Sequence, residues 1–483
     1  MSELIHLTPG RLWFYFSEIL KIPRPSDHEE KIREYLIQFA DKNNLEYEVD
    51  RVGNVVIRKA PHPEYQSAPL VCLQSHLDMV CEKNSNVIFD FHRDSINAYI
   101  DGEWVKAKGT TLGADDGIGI AAQLAILESS HIKHGPLECL FTVAEETGLT
   151  GAFGLEPGFL TSKVLINLDS EDEGELFIGC AGGQDLTAWL GFQKAAAPPD
   201  FKSYEVSISG LKGGHSGDDI HKGLGNANKL LNRFIWESAA RMDVRLHSFD
   251  GGNLRNAIAR EAKATIGLPE NMDGLFQDHC KKYFEEIRAE FQRTEPDLQM
   301  EWSEIPKADW FFDGHSQTMF LNAVYGCPHG VIAWSQTIPG LVETSTNLAA
   351  IKIEGDLLKI TTSQRSSVAS AKRDVSQMVE SVFKLSGARV EKSTGYPGWN
   401  PNPDSKVLGI TQKAYTDLFN QEPQVKAIHA GLECGLFLEK YPDLDMVSFG
   451  PTIKGAHSPD ERLHIPSTIK FWQLLTEVLE RLK

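Results

Sequence analysis

The sequence predicts an α/β protein: a helix-covered, mainly parallel sheet interrupted by an inserted α+β domain. Three observations predict it. Short apolar strands alternate with helical stretches from Leu12 to Leu168, and the texture changes to longer alternating strands beyond residue 186. A stretch crowded with proline and glycine at 394–403 then precedes renewed helical patterning. The expected organisation is a first domain built from 1–186 and 393–483, with an insert occupying 187–392.

The elements follow in order. Thr8-Pro9 offers a cap with proline in the first turn, and Leu12, Phe16, Ile19 and Leu20 recur at helical spacing; Ser26-Asp27 opens a second helix carrying Ile32, Tyr35, Leu36 and Phe39. Segments 55–57 and 70–73 read as strands, 117–130 as a helix, and 137–143 and 164–168 as further strands. Such alternation implies parallel strands, with chemistry at their carboxyl ends. In the insert, 193–200 reads as a linker or long hairpin and 204–209 as a strand entering a turn at 210–214. No internal sequence repeat is found there, although roughly 200 residues suffice for two small units. Helical patterning resumes at Ser405.

Composition narrows the classes. Hydrophobic residues make up 41% and charged residues 24%, ordinary globular usage that excludes a disordered or low-complexity chain. The 48 basic and 67 acidic residues leave a net charge of −19, so neither nucleic acid nor an anionic membrane surface is an expected partner. The longest apolar run, near 118–127, spans about ten residues, against the ~20 a membrane span needs. The opening Met-Ser-Glu-Leu-Ile-His carries no basic stretch followed by an apolar one, so no secretory signal is expected. Seven scattered cysteines without a Cys-x-x-Cys pair form neither a zinc-finger set nor a disulfide framework, which points to a reducing cytoplasm.

Five short motifs place acids and imidazoles near strand ends. In Gln74-Ser75-His76-Leu77-Asp78, residues two apart in extended chain face the same way, so His76 and Asp78 address one point; a hydrogen-bonded strand end would read the same. Leu112-Gly113-Ala114-Asp115-Asp116-Gly117 sets two acids between glycines before a helix, where an N-cap is the plain alternative. Thr142-Val143-Ala144-Glu145-Glu146 ends an apolar strand with adjacent carboxylates, which repel unless a cation or shared proton intervenes. Ile166-Asn167-Leu168-Asp169 ends another strand with an acid, and Gly455-Ala456-His457-Ser458-Pro459-Asp460-Glu461 adds a distant histidine. Each alone reads as a turn or cap. Together they supply the set that two divalent ions held close together require: an imidazole and a terminal carboxylate each, with a carboxylate shared between them.

In this order and at these separations, the motifs resemble the metallopeptidases related to glutamate carboxypeptidase, carnosinase and succinyl-diaminopimelate desuccinylase. Within them, SHLDMV, LGADDGIG, AEETGLTGA, LKGGHSGDDI, GLGNANKLL, HAGLECG and GAHSPDE look like the aminoacyl-histidine dipeptidases, also called peptidase D. The resemblance implies roles residue by residue. His76 and Asp169 would ligate one metal and Glu146 and His457 the other, with Asp115 bridging. Asp78 would orient His76 from behind, and Glu145 would be the general base. Asp116 is not carried over and stays a helix cap. His215 in the insert would address the scissile carbonyl oxygen; Asn256 and Arg365 would polarise the carbonyl and hold the substrate carboxylate, Arg365 through its bidentate fork.

The implied cofactors are two divalent ions per chain, zinc foremost, with cobalt or manganese as substitutes. The implied activity is hydrolysis of unblocked dipeptides, Xaa-His and β-alanyl-histidine among them, by a cytoplasmic monomer or homodimer whose partner is a small peptide. Segments 1–186 and 393–483 would form the catalytic domain and 187–392 an inserted lid. Competing readings explain fewer residues. A single iron held by His76, Asp78 and His457 leaves Asp115, Glu145, Glu146 and Asp169 without a role. A catalytically silent peptide-binding protein has no use for Glu145 beside a ligand. A tripeptidase, carboxypeptidase or N-acyl amino acid amidohydrolase would share the metal site and differ only in substrate.

Overall fold

The computed structural model describes residues 3–483. Two compact units divide the chain: Met1–Gly179 with Trp399–Ala427 and Leu432–Lys483, and Cys180–Gly398 with Ile428–Gly431.

The first unit is built on an eight-stranded sheet in the order Glu46–Val49, Val55–Lys59, Leu137–Thr142, Val71–His76, Val164–Asn167, Asp445–Ser448, Glu175–Cys180, Gln424–Ile428. Its centre is parallel. Val71–His76 runs parallel to Leu137–Thr142 and to Val164–Asn167, which runs parallel to Asp445–Ser448. Antiparallel pairs flank that centre, Val55–Lys59 with both its neighbours on one side and Asp445–Ser448 with Glu175–Cys180 on the other. Burial follows the same division. Every residue of Val71–His76 and Leu137–Thr142 is buried, as strands covered on both faces require, whereas Glu46–Val49 is exposed along its length. Helix Ala114–Glu128 is buried from Ala114 to Leu127 and apolar on nearly every side; helix Gly10–Ile19 packs on it with Leu12, Trp13, Phe16 and Ile19 buried.

Two local expectations shift, and the expected helix start at 117 holds. Helix Gly10–Ile19 begins after Pro9 without any side-chain cap, so Thr8 does not serve as one. The second helix is Glu30–Lys42 and does not open at Ser26-Asp27: Ser26 Oγ donates to Asp78 Oδ2 at 2.7 Å instead, and Asp27 sits at φ 65. At the start of Ala114–Glu128, Asp115 and Asp116 have non-helical φ/ψ, so the regular helix runs from Gly117.

The second unit holds a nine-stranded sheet in the order Gln299–Ile305, Phe201–Ser209, Ala262–Pro269, Arg245–Gly251, Val342–Glu354, Leu357–Ser366, Gly182–Gly191, Arg389–Lys392, with Gly330–Trp334 beside Val342–Glu354. Its pairings are antiparallel. Two halves of this sheet meet at one registered pair, Gly251 with Ile351. There Gly252 has φ +62 and a Cβ on it would stand 1.9 Å from the Ala349 carbonyl oxygen, so only glycine allows the approach. Helices Ala227–Met242, Asp273–Phe291, Gly314–Gly326 and Ala369–Leu385 close a core in which Phe234, Phe249, Phe276, Tyr283, Phe320 and Phe383 are buried. Within 193–200, Lys194–Ala196 forms a strand against Trp310–Phe312. The unit reaches past 187–392 at both ends because Gly182 packs against Gly398, whose nitrogen would lie 2.5 Å from a Cβ on Gly182.

Among the described residues, no helix is long and apolar enough to cross a membrane. Cys72, Cys81, Cys139, Cys280 and Cys327 are free thiols. Leu73 lies fully buried in the parallel centre, so Leu73→Ala should cost about 2–5 kcal/mol of unfolding free energy; Ile88→Ala, at a fully exposed position, should change it by less than ~0.5 kcal/mol. Chemical denaturation of the two variants checks this, and equal small losses would place Leu73 outside the core.

Candidate metal centre

The carboxyl ends of the parallel strands carry most of the candidate ligands. His76 is the last residue of Val71–His76, Glu145 and Glu146 follow Leu137–Thr142, and Asp169 follows Val164–Asn167. Asp115 enters from the start of Ala114–Glu128, and His457 from the loop after Ile453–Lys454.

Asp115 stands between two imidazoles. Its Oδ1 lies 2.9 Å from His76 Nε2 and its Oδ2 3.1 Å from His457 Nε2. Each of these nitrogens also faces a second carboxylate: Asp169 Oδ1 at 3.4 Å from His76, and Glu146 Oε2 at 3.1 Å from His457. The arrangement is two half-sites joined through one side chain, and ligand atoms of His76, Asp115 and Glu146 lie within 4.8 Å of one another.

This donor set fits divalent ions. Two ligands ~2.0–2.2 Å from a tetrahedral ion stand ~3.3–3.6 Å apart, close to the separations found here. Glu146 Oε1 is buried without a hydrogen-bond partner, and the crowding of Asp115, Glu145, Glu146 and Asp169 is the kind of density that a cation relieves.

Asp78 does more than stand behind His76. Its Oδ1 lies 3.3 Å from His76 Nδ1, near enough for attraction though outside hydrogen-bond geometry. The same oxygen accepts from the Glu145 N–H at 3.0 Å, and Oδ2 accepts from the Glu146 N–H at 3.1 Å. One carboxylate therefore faces the His76 imidazole and holds the turn that carries Glu145 and Glu146. That turn is also fixed by Ala144, at φ 48, whose N–H donates to Glu29 Oε1 at 2.9 Å.

The charges respond to one another. Burial pulls the His76 imidazole down, but Asp169, Asp115 and Asp78 outweigh it and hold it well above the ordinary histidine range. Hydrogen bonds to Asp115 and Glu146 push His457 up to about 11. Asp115, although burial would raise it, is held down by those same imidazoles. Burial pushes the Glu145 carboxyl well up, opposed by His76 and reinforced by Asp169 and Glu146. Asp169 is lifted by burial to about 7.

Asp116 accepts from the Gly119 N–H at 3.1 Å, as a cap of the helix. Three buried groups here have no role in the sequence reading: Arg24, Glu433 and Glu461. Glu433 Oε2 accepts from Gln74 Nε2 at 2.7 Å and Thr142 Oγ1 at 2.8 Å, beneath the strand ends that lead to His76 and to Glu145 and Glu146. The available signal was Gln74, a polar residue two before His76 in an apolar strand.

In the second unit the structure gathers His215, Asn256 and Arg365. The short strand Gly214–His215 pairs with Ala257–Ile258, and the Ser216 N–H donates to the Asn256 carbonyl at 2.8 Å. Arg365 Nη2 lies 3.4 Å from His215 Nε2, while Nη1 donates to the Tyr396 hydroxyl at 3.0 Å. Tyr396, unnoticed in the sequence, belongs to the same cluster.

Ligating imidazoles must give up their protons, and in the ion-free protein the surrounding carboxylates favour protonated His76 and His457. Zinc uptake by ion-free protein should therefore release protons and tighten as pH rises, measured by calorimetry in buffers of different ionisation enthalpy. Uptake without proton release would exclude these histidines as ligands.

The model of peptidase family M20/M25/M40 matches residues 72–481. The cytosol non-specific dipeptidase of Escherichia coli K12 is 45% identical over 482 residues, covering 100% of this chain and 99% of the relative. The crystal structure of aminoacylhistidine dipeptidase from Vibrio alginolyticus is 44% identical with a TM-score of 0.94, covering 100% of this chain and 98% of that one. Aminopeptidase PepT from Bacillus cereus, 15% identical with a TM-score of 0.58 over 99% of both chains, shares the fold. The candidate residues from His76 to His457 lie inside the matched span, and the chain belongs to peptidase family M20/M25/M40.

Proposed function

We propose that the protein is a dipeptidase that uses two divalent ions, zinc foremost, to hydrolyse the peptide bond of unblocked dipeptides, Xaa-His dipeptides among them. The observation that carries this reading is Asp115, with one oxygen turned to each of two imidazoles that are each backed by a further carboxylate. The E. coli and Vibrio relatives, named as dipeptidases and 45% and 44% identical over essentially full length, support the substrate class. A cytoplasmic location accords with the name of the E. coli relative.

His76, Asp115 and Asp169 would hold one ion, and Asp115, Glu146 and His457 the other. Bound there, the ions supply Lewis acidity toward the peptide carbonyl and make water a nucleophile near neutral pH. Glu145 takes the proton from the attacking water and returns it to the leaving amine. Asp78 keeps that proton acceptor in place through the Glu145 N–H and fixes the His76 ring. His215 and Asn256 donate to the carbonyl oxygen, and Arg365 takes the substrate carboxylate. On this reading the first unit is the catalytic domain and the second is a substrate-binding insert.

A panel of dipeptides, including β-alanyl-histidine, assayed beside tripeptides and N-acyl amino acids tests the proposal. Dipeptides should be the best substrates; faster turnover of tripeptides or N-acyl amino acids would overturn it. Glu145→Gln should keep its ions and lose at least ~100-fold in kcat, while Glu146→Gln should lose metal. Like behaviour of the two variants would overturn the assignment of base and ligand. His215→Ala should lower kcat by ~10²–10³ with metal content unchanged, and full activity in that variant would remove His215 from the reaction.

A further inference from the structure

We propose that Arg24 and Glu461 form a buried clamp on the backbone of segment 112–115 and so position the carboxylate of Asp115. The inference rests on the reading of Asp115 as the bridging ligand and adds two positioning residues to it.

Asp115 has a short side chain, so its backbone decides where its oxygens stand. No regular element holds that backbone: Gly113 sits at φ +71, and Asp115 and Asp116 have non-helical φ/ψ. Two buried charges hold it instead, each taking one kind of backbone group. Glu461 Oε2 accepts from the N–H groups of Leu112 at 2.7 Å and Gly113 at 2.9 Å; its Oε1 accepts from Ala114 at 2.7 Å and Asp115 at 3.4 Å. Arg24 Nη2 donates to the Gly113 carbonyl, and Nη1 donates to the carbonyls of Leu77, at 2.9 Å, and Asp78.

These bonds join the segments that carry both imidazoles. Arg24 ties 112–115 to the two residues that follow His76. Glu461 ties it to the loop that carries His457 four residues earlier. Arg24 is 1% and Glu461 2% exposed, and a buried charge is tolerated only where its hydrogen bonds are made. The local sequence makes room for the guanidinium: a Cβ on Gly113 or on Gly117 would stand 2.7 Å from Arg24 Nη2. An ordinary helix cap does not account for Glu461, because the regular helix starts at Gly117 and the bonded N–H groups lie upstream of it.

The test is zinc binding to ion-free protein, by titration calorimetry, with folding followed by circular dichroism. The parent should take up two ions. Glu461→Ala should stay folded yet bind zinc about 10–100-fold more weakly, and excess zinc should restore part of kcat with KM unchanged. Parent-like zinc affinity in a folded Glu461→Ala, with only a lower melting temperature, would make Glu461 a stability residue and overturn the clamp. Should Glu461→Ala fail to fold, Arg24→Lys decides, because a single ammonium nitrogen cannot take the places of both Nη1, which serves Leu77 and Asp78, and Nη2, which serves Gly113: weakened zinc binding supports the clamp and parent-like binding overturns it. A parent that binds fewer than two ions would overturn the bridging role of Asp115 itself, and the clamp with it, a failure distinct from one confined to the variants.

Discussion

One carboxylate facing two imidazoles sets the terms for the rest of the first unit. Asp115 can serve His76 and His457 together only if the three chain segments that carry these residues, distant in sequence, meet within about one hydrogen-bond length. The parallel centre of the sheet delivers the first, since His76 ends a strand whose neighbours on both sides are each followed within a few residues by candidate site residues. The loop from Gly113 to Asp116 delivers the second, and the turn at 455–461 the third. None of these loops is regular, so their positions come from side chains that bind backbone: Asp78, Glu29, Arg24 and Glu461.

That arrangement explains a sheet unusually rich in buried polar groups at one end. Gln74 donates to Glu433 and accepts from Asn167 Nδ2 at 2.6 Å, and Asn167 accepts in turn from the Ser448 hydroxyl. With Thr142, which also donates to Glu433, this chain stitches four strands beneath the candidate ligands. Such a network is favourable only when nearly every member is satisfied, and it fixes the strand ends more tightly than apolar contact would. Burial, reinforced by the charges of Asp169 and Asp78 and opposed by His76, also lifts the Glu433 carboxyl to about 8. The electrostatic cost of the centre is thus spread into the sheet.

Much of this was legible in the sequence. Apolar strands alternating with helices implied the parallel centre, and acids at strand ends implied a cation site, because adjacent carboxylates such as Glu145 and Glu146 need one. The antiparallel margins were not legible: Glu46–Val49 carries no burial pattern to reveal its partner. The start of the second helix was misplaced because Ser26, a good cap by type, is bonded to Asp78 across 52 residues. Arg24 and Glu461 left no periodic trace at all. Their partners are backbone groups far away in the chain, and a single buried arginine looks in sequence like any surface one. Family resemblance supplied the roles that residue types left open, while only the structure could show that Asp78 holds the Glu145-Glu146 turn as well as His76.

The central claim is that one carboxylate is shared by two ions. Electron paramagnetic resonance of the manganese-loaded protein tests it most directly, because two manganese ions bridged by a common ligand are magnetically coupled. The account predicts an exchange-coupled spectrum in the parent that disappears in Asp115→Ala. A spectrum of isolated ions in active parent protein would contradict it.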